Sequence, residues 1–242
     1  MQDRKLAVRT ADRIERRIIA GEWPVGSMIG SESQLLKEYG VSRAVLREAI
    51  LILEQRQIAR RQRGLGGGVM ACSPTVSSVA RTMALFLEFN DVGVDDLMEA
   101  RILLEGHCAA KAARSASPAA IKELKDYAQA GLAMSGAEAR SHMGHFHVLL
   151  AKLAGNPVWS LVTEALIDVA AGLLERRGRM PTDSEIRAQF KLLVLVAEEI
   201  ENRDETAARD QVRKFIEKVQ KYYHDGLNSN TGKTPARRRR KA

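Results

Sequence analysis

Apolar residues recur at intervals of three and four along most of this chain, the spacing that places them on one face of an α-helix. The pattern is clearest over residues 43–55, where Val45, Leu46, Ala49, Ile50, Ile52 and Leu53 follow it. It recurs more sparsely in residues 5–20 through Leu6, Ile14 and Ile18, and in "SESQLLKEYG" through Leu35, Leu36 and Tyr39. Beyond Ser73-Pro74-Thr75 it predicts helices over about 76–89, 94–114, 118–134, 137–154, 157–177, 183–202 and 205–224. Turn-forming residues separate them at Asn90–Gly93, Pro118, Gly136, Gly155-Asn156-Pro157 and Gly178–Asp183. Strand character is confined to one place: Ile58 with Arg60 and Arg61, then Val69 to Cys72, around the glycine-rich tip Gly64-Leu65-Gly66-Gly67-Gly68.

These elements predict a mainly α protein in two parts. Residues 1–72 read as three helices plus a small β-hairpin, a winged helix-turn-helix. Residues 73–78 read as a linker, and residues 79–225 as an all-α antiparallel bundle, seven helices when the leading 76–89 segment is included. Residues 226–242, "GLNSNTGKTPARRRRKA", lack apolar periodicity and are expected to be a disordered basic tail.

Composition narrows the function. Of 242 residues, 45% are hydrophobic, enough for a true core, yet no apolar run is long enough to span a bilayer. The charged opening "MQDRKLAVRTADRIERRIIA" does not read as a signal peptide, and Cys72 and Cys108 lack metal-finger spacing. A cytoplasmic protein is expected. The net charge of +8 is uneven: residues 1–72 carry 13 Lys/Arg against 8 Asp/Glu, and residues 226–242 carry 6 Lys/Arg and no acid. Basic ends on a mildly acidic body point to nucleic-acid contact at the ends, or to a solvated charged surface. The Arg237–Arg240 run either adds salt-dependent phosphate attraction or is a solvated tail of no consequence.

Arg43 and Arg47 sharpen the first reading. Gly40 is placed to stop one helix and Ser42 to cap the next, so both arginines fall on one side of the new helix beside its first turn. Cations there oppose the helix dipole, and a docked polyanion would justify them. In a helix-turn-helix, that end of the second helix meets base edges in the major groove. Arg60, Arg61 and Arg63 add charge near the hairpin tip, suited to phosphate or minor groove.

The stretch from "IIAGEWPVGSMIGSESQLLKEYG" through "RRQRGLGGGVMA" resembles the DNA-binding domain of GntR-family bacterial transcription regulators. Gly21, Gly26, Ser31, Glu32, Leu35, Gly40–Arg43, Arg47–Ala49, Leu53 and the wing glycines carry the likeness. The resemblance implies that Ser42, Arg43, Arg47, Arg63, Gly66 and Gly67 contact operator DNA, the two helix arginines at guanine edges. Glu32 and Glu48 are expected to pair with nearby basic groups. The family often has a proline before Ser31 and an arginine two after it, where this chain has Gly30 and Ser33. One expected DNA contact is therefore missing.

The rest of the chain resembles the FCD effector domain of the FadR subfamily, on "DLMEARILLEGHCAAKAAR", "FHVLLAKLAGNPVW" and "AEEIENRDETAARDQVRKF". That likeness implies a homodimer in which a small metabolite, often a carboxylate, binds inside the bundle and alters DNA affinity. Many such domains hold a divalent metal on an aspartate and three histidines. Here those positions align to Met143, His147, Leu193 and Phe215, so no metal cofactor is expected. His142 and His145 are offset on the same helix and should point elsewhere. The loss of ligands leaves room for a larger, more apolar pocket, which raises acyl compounds beside organic acids.

Arg101 falls in the stripe Leu97-Arg101-Leu104-Cys108 and should point inward, either to an effector carboxylate or to an ion pair with Glu105 one turn on. His147 is either an effector-binding residue or a satisfied core histidine. Phe190, Phe215 and Tyr222 read as core or dimer packing. The expectation is a dimeric, effector-responsive repressor, with an effector-independent architectural DNA-binding protein as the alternative. An enzyme is not expected, since no nucleophile–base motif or phosphate loop appears.

Overall fold

The computed structural model describes residues 2–64, 66–177 and 180–230. The chain forms two compact units, the first running through Thr75 and the second beginning at Val76.

The first unit holds three helices, α1 (Gln2–Ile19), α2 (Glu32–Tyr39) and α3 (Arg43–Gln55). Ser31 caps α2 in a capping box: its hydroxyl accepts from Gln34 N while the Gln34 side chain accepts from Ser31 N. Gly40, at φ 62°, ends α2 and donates to the Leu36 carbonyl. Two residues later Ser42 caps α3, accepting from Val45 N at 3.3 Å. At its other end α3 stops on Gln57, at φ 60°, and Ile58 N returns to the Leu53 carbonyl at 3.1 Å. Ile14, Leu35, Leu46, Ala49 and Leu53 close the core where α1 and α2 meet α3.

The expected hairpin is present as β2 (Ala59–Gln62) and β3 (Gly68–Ala71), paired antiparallel from Ala59–Ala71 to Gln62–Gly68. A third strand, β1 (Met28–Gly30), joins the free edge of β3, giving the order β1-β3-β2. Three residues are too few to show period-two alternation, which hides this strand from the sequence. Gly68 makes the pairing possible, because a Cβ there would stand 2.4 Å from the Gly30 carbonyl oxygen.

The second unit is built of seven helices among the described residues: α4 (Val76–Phe89), α5 (Val94–Ser115), α6 (Pro118–Ala130), α7 (Gly136–Leu153), α8 (Pro157–Arg177), α9 (Asp183–Glu201) and α10 (Glu205–Asn230). Their starts follow local chemistry: Ser117 accepts from Ala120 N ahead of Pro118, Asn156 Oδ1 accepts from Val158 N across Pro157, and Thr182 forms a capping box with Glu185. Helix α5 packs on α7, α8, α9 and α10, α4 on α8, and α6 on α9. Met98, Phe146, Phe190, Leu193 and Phe215 lie fully within the core.

Helix α4 begins at Val76, as its apolar pattern predicts, so the expected 73–78 linker overlaps its first residues. Two other expected boundaries move. The expected 118–134 helix ends at Ala130 and tightens into a 3-10 turn over Gly131–Ala133, where the Phe190 ring occupies the space a side chain at Gly131 would need. Helix α10 continues past 225 to Asn230, so the expected tail is helical in its first part; residues 231–242, including Arg237–Arg240, lie outside the described residues.

Candidate DNA-binding face and effector cavity

Helix α3 buries Val45, Leu46, Ala49, Ile50 and Leu53 and leaves Ser42, Arg43 and Arg47 exposed. No acid lies in its first turn. Arg47 Nε stands 3.5 Å from Glu32 Oε1, a loose contact between two exposed groups. Glu32 thus pairs as expected, whereas Glu48, half-buried, has no ion pair among the described residues. Ser42 combines two tasks: its hydroxyl caps the helix while remaining exposed.

The wing differs from expectation in one arginine. Arg60 and Arg61 are neighbours in β2, so their side chains leave opposite faces of the strand. Arg61 turns back to α3, where its Nη2 lies 2.6 Å from Glu54 Oε2 and its backbone N donates to Glu54 Oε1 at 2.9 Å. The Arg61 hydrogen bond holds the Glu54 carboxyl below its ordinary range. Arg61 therefore fastens the wing to α3, and Arg60 and Arg63 remain exposed. Glu54, which sequence reasoning passed over, is the anchor. At the tip Gly66 adopts φ 76°, and a Cβ on Gly67 would stand 2.6 Å from the Gln62 carbonyl oxygen, so both positions require glycine. Leu65 lies outside the described residues.

In the second unit, Arg101 and His147 do come together. Both are buried, and Glu105, 1% exposed, lies between them. Arg101 Nε donates to Glu105 Oε1 at 2.7 Å, and His147 Nδ1 lies 2.5 Å from Glu105 Oε2. The latter is a close polar contact without good hydrogen-bond alignment, and His147 Nε2 has no hydrogen-bond partner among the described residues although fully buried. Burial by itself pushes the Glu105 carboxyl up, but Arg101 and His147 outweigh it and hold the group at about 2. Burial, with Glu105 nearby, pushes the Cys108 thiol up to about 12, which leaves it unreactive.

Arg101 and His147 form part of the wall of a cavity of about 460 Å³. Gln189, Phe215, Tyr222 and Tyr223 contribute from α9 and α10, Arg140, Ser141 and His145 from α7, and Glu164 and Asp168 from α8. That volume suits a small metabolite. Burial pushes the Asp168 carboxyl above its ordinary range. Phe215 and Tyr222, expected as packing, therefore also face the cavity. His142 points away, bonding the Tyr127 carbonyl at 2.7 Å and stacking on that ring. His145, expected to do the same, instead reaches the cavity wall, exposed.

The residues do not fit a divalent metal. Met143, Leu193 and Phe215 are buried and offer at most one thioether, and His147 Nδ1 already faces Glu105. Among the described residues no three His, Cys, Asp or Glu side chains group as ligands.

Comparison with known proteins supports the two-part reading. The family model for bacterial regulatory proteins of the gntR family matches residues 6–69, and that for the FCD domain matches residues 96–218. The chain is 27% identical over 160 residues to the Uxu operon regulator of Haemophilus influenzae, covering 65% of this chain and 58% of that protein. It therefore spans little more than half of that regulator's length. It is 24% identical over 224 residues to the HTH-type transcriptional repressor NanR of Cronobacter sakazakii, covering 89% of this chain and 84% of the other. Among solved structures, Streptococcus agalactiae GntR matches with a TM-score of 0.63 at 22% identity, over 89% of this chain and 99% of that one. At that identity the likeness speaks for the fold.

Proposed function

Since the chain belongs to the GntR family of bacterial regulatory proteins and carries an FCD domain, we propose that it is a dimeric transcriptional repressor whose operator affinity is set by a small carboxylate effector. Arg43 and Arg47 read base edges in the major groove, Ser42 contacts phosphate, and Arg63 with Gly66 and Gly67 follows the adjacent backbone or minor groove. The observation that carries the DNA-binding half is the pair of exposed arginines on the first turns of a capped helix whose own first turn holds no acid, with Glu32 of α2 in only loose contact with Arg47. Two copies would meet the two halves of a palindrome. Repression is the sign named for the NanR relative. A DNA-binding regulator of this kind works in the cytoplasm.

The effector half rests on the buried His147 Nε2 that has no protein partner and on Arg101 beside it, both on the cavity wall. A carboxylate between them would accept from the in-plane N–H fork of the guanidinium, and from His147 Nε2 when that nitrogen carries a proton. Regulation then requires the ligand to bind better to one DNA-affinity state than to the other. Gel-shift titration against selected operator DNA, with and without organic acids, tests both halves. Ligand-dependent release is expected; operator binding indifferent to every acid would point to an effector-independent protein.

A further inference from the structure

We propose that the cavity takes a small amino acid, with a carboxylate on Arg101 and His147 and an ammonium group on Glu164 and Asp168. This rests on the reading of Arg101 and His147 as the carboxylate site. Glu164 and Asp168 stand four residues apart on α8, so they share one face of that helix, and both line the cavity. Neither has an ion pair among the described residues. The cavity therefore offers two demands of unequal strength: a buried imidazole nitrogen without a partner on one side, and on the other two carboxylates, half-buried Glu164 and solvent-exposed Asp168, with no ion pair among the described residues.

The two demands sit within reach of one small molecule. Helices α7 and α8 are joined by the short Ala154–Asn156 turn and so run antiparallel. A Cβ at Gly144 would touch Ile167 Cγ2 at 3.2 Å, which sets those two residues opposite each other. Three residues onward on α7 and three back on α8, His147 falls level with Glu164. Asp168 falls level with Met143, one turn away. Arg140, an arginine of α7 on the cavity wall, lies two turns from His147 and has no ion pair with either carboxylate among the described residues.

A plain carboxylate bound at Arg101 would place its negative charge near that of Glu164, with no cation brought to offset it. An amino acid supplies the cation on the same small skeleton. A hydroxy acid supplies only neutral donors, which a carboxylate accepts less strongly than an ammonium group. No metal is needed to hold the ligand's carboxylate, since the Arg101 guanidinium donates to it.

Calorimetric titration of the full chain at pH 7 tests this with the protein amino acids, each beside its deaminated acid and its α-hydroxy acid. At least one amino acid is expected to bind at least tenfold more tightly than both of its counterparts. That preference should collapse toward onefold in Glu164→Gln or Asp168→Asn, each verified as folded by its melting temperature, while affinity for the deaminated acid stays the same or rises. Hydroxy or plain acids binding as tightly as the amino acids would overturn the inference and leave the carboxylate site standing. An amine preference unchanged in both variants would also overturn it. Failure of all three series to bind would overturn the carboxylate site and this inference together.

Discussion

Glu105 Oε2 lies 2.5 Å from His147 Nδ1, across the interface between α5 and α7, and the same carboxylate accepts from Arg101 Nε. One buried anion thus positions both residues that we assign to the effector. Removing it would leave a guanidinium buried with no counter-charge, which is far more costly than losing an exposed pair.

Glu105→Ala is therefore expected to destabilise the protein by about 3–5 kcal/mol. Urea unfolding at neutral pH measures this. A loss below about 1 kcal/mol would show that water enters the cluster readily.

The same carboxylate makes part of the stability pH-dependent. Its folded value lies below the ordinary 4.5, at about 2. The stabilisation is complete above pH 4.5 and is lost as the pH falls toward 2, a change on the order of 3 kcal/mol. In urea titrations the gap between wild type and Glu105→Gln should narrow steadily over that window. A constant gap would mean that Glu105 is not the titrating group.

Arg47 and Arg61 should separate in DNA binding. Arg47→Ala is expected to cost ~1–3 kcal/mol for the operator and to relax preference at one position per half-site. Arg61 is committed to Glu54, so Arg61→Ala should weaken specific and non-specific binding by similar, small factors. Equal loss of specific and non-specific affinity in Arg47→Ala would remove its base-reading role.

Gln57 holds a left-handed conformation at the end of α3. Gln57→Gly relieves the strain there and is expected to raise stability by about 0.5–1 kcal/mol. Gly68→Ala should do the opposite, since its Cβ collides with the Gly30 carbonyl and parts β1 from β3. Thermal melts of the two variants should shift in opposite directions.

Divalent ions should leave the melting temperature unmoved, whether zinc or manganese is added or a chelator is present. A bound ion at a hundred times its dissociation constant would add about 2.7 kcal/mol, which a melt resolves easily. A clear rise would place ligands where Met143, Leu193 and Phe215 now read as apolar.

Much of this was legible along the chain because it is local. Helix periodicity, the Ser31 and Ser42 caps, the Gly40 stop and the glycine tip are each decided by residues a few positions apart. The motif that exposes Arg43 and Arg47 follows from that local order. Strand β1 was not legible, since a three-residue strand exists only through its partner β3. Nor was the role of Arg61, whose charge the sequence shows but whose direction depends on Glu54 seven residues away on another element.

The sequence by itself determined the two-part architecture and the placing of Arg43 and Arg47 on the first turns of a capped helix, because short-range spacing settles these. It also put Arg101 inside the bundle but left both an ion pair and a ligand open. The tertiary structure joined those alternatives: Glu105 takes one nitrogen of Arg101 and faces His147, while Arg101 and His147 still line the cavity. The physical reason is that a buried charge needs its partner within a few ångströms in space, and α5, α7 and α8 bring such partners together only by packing.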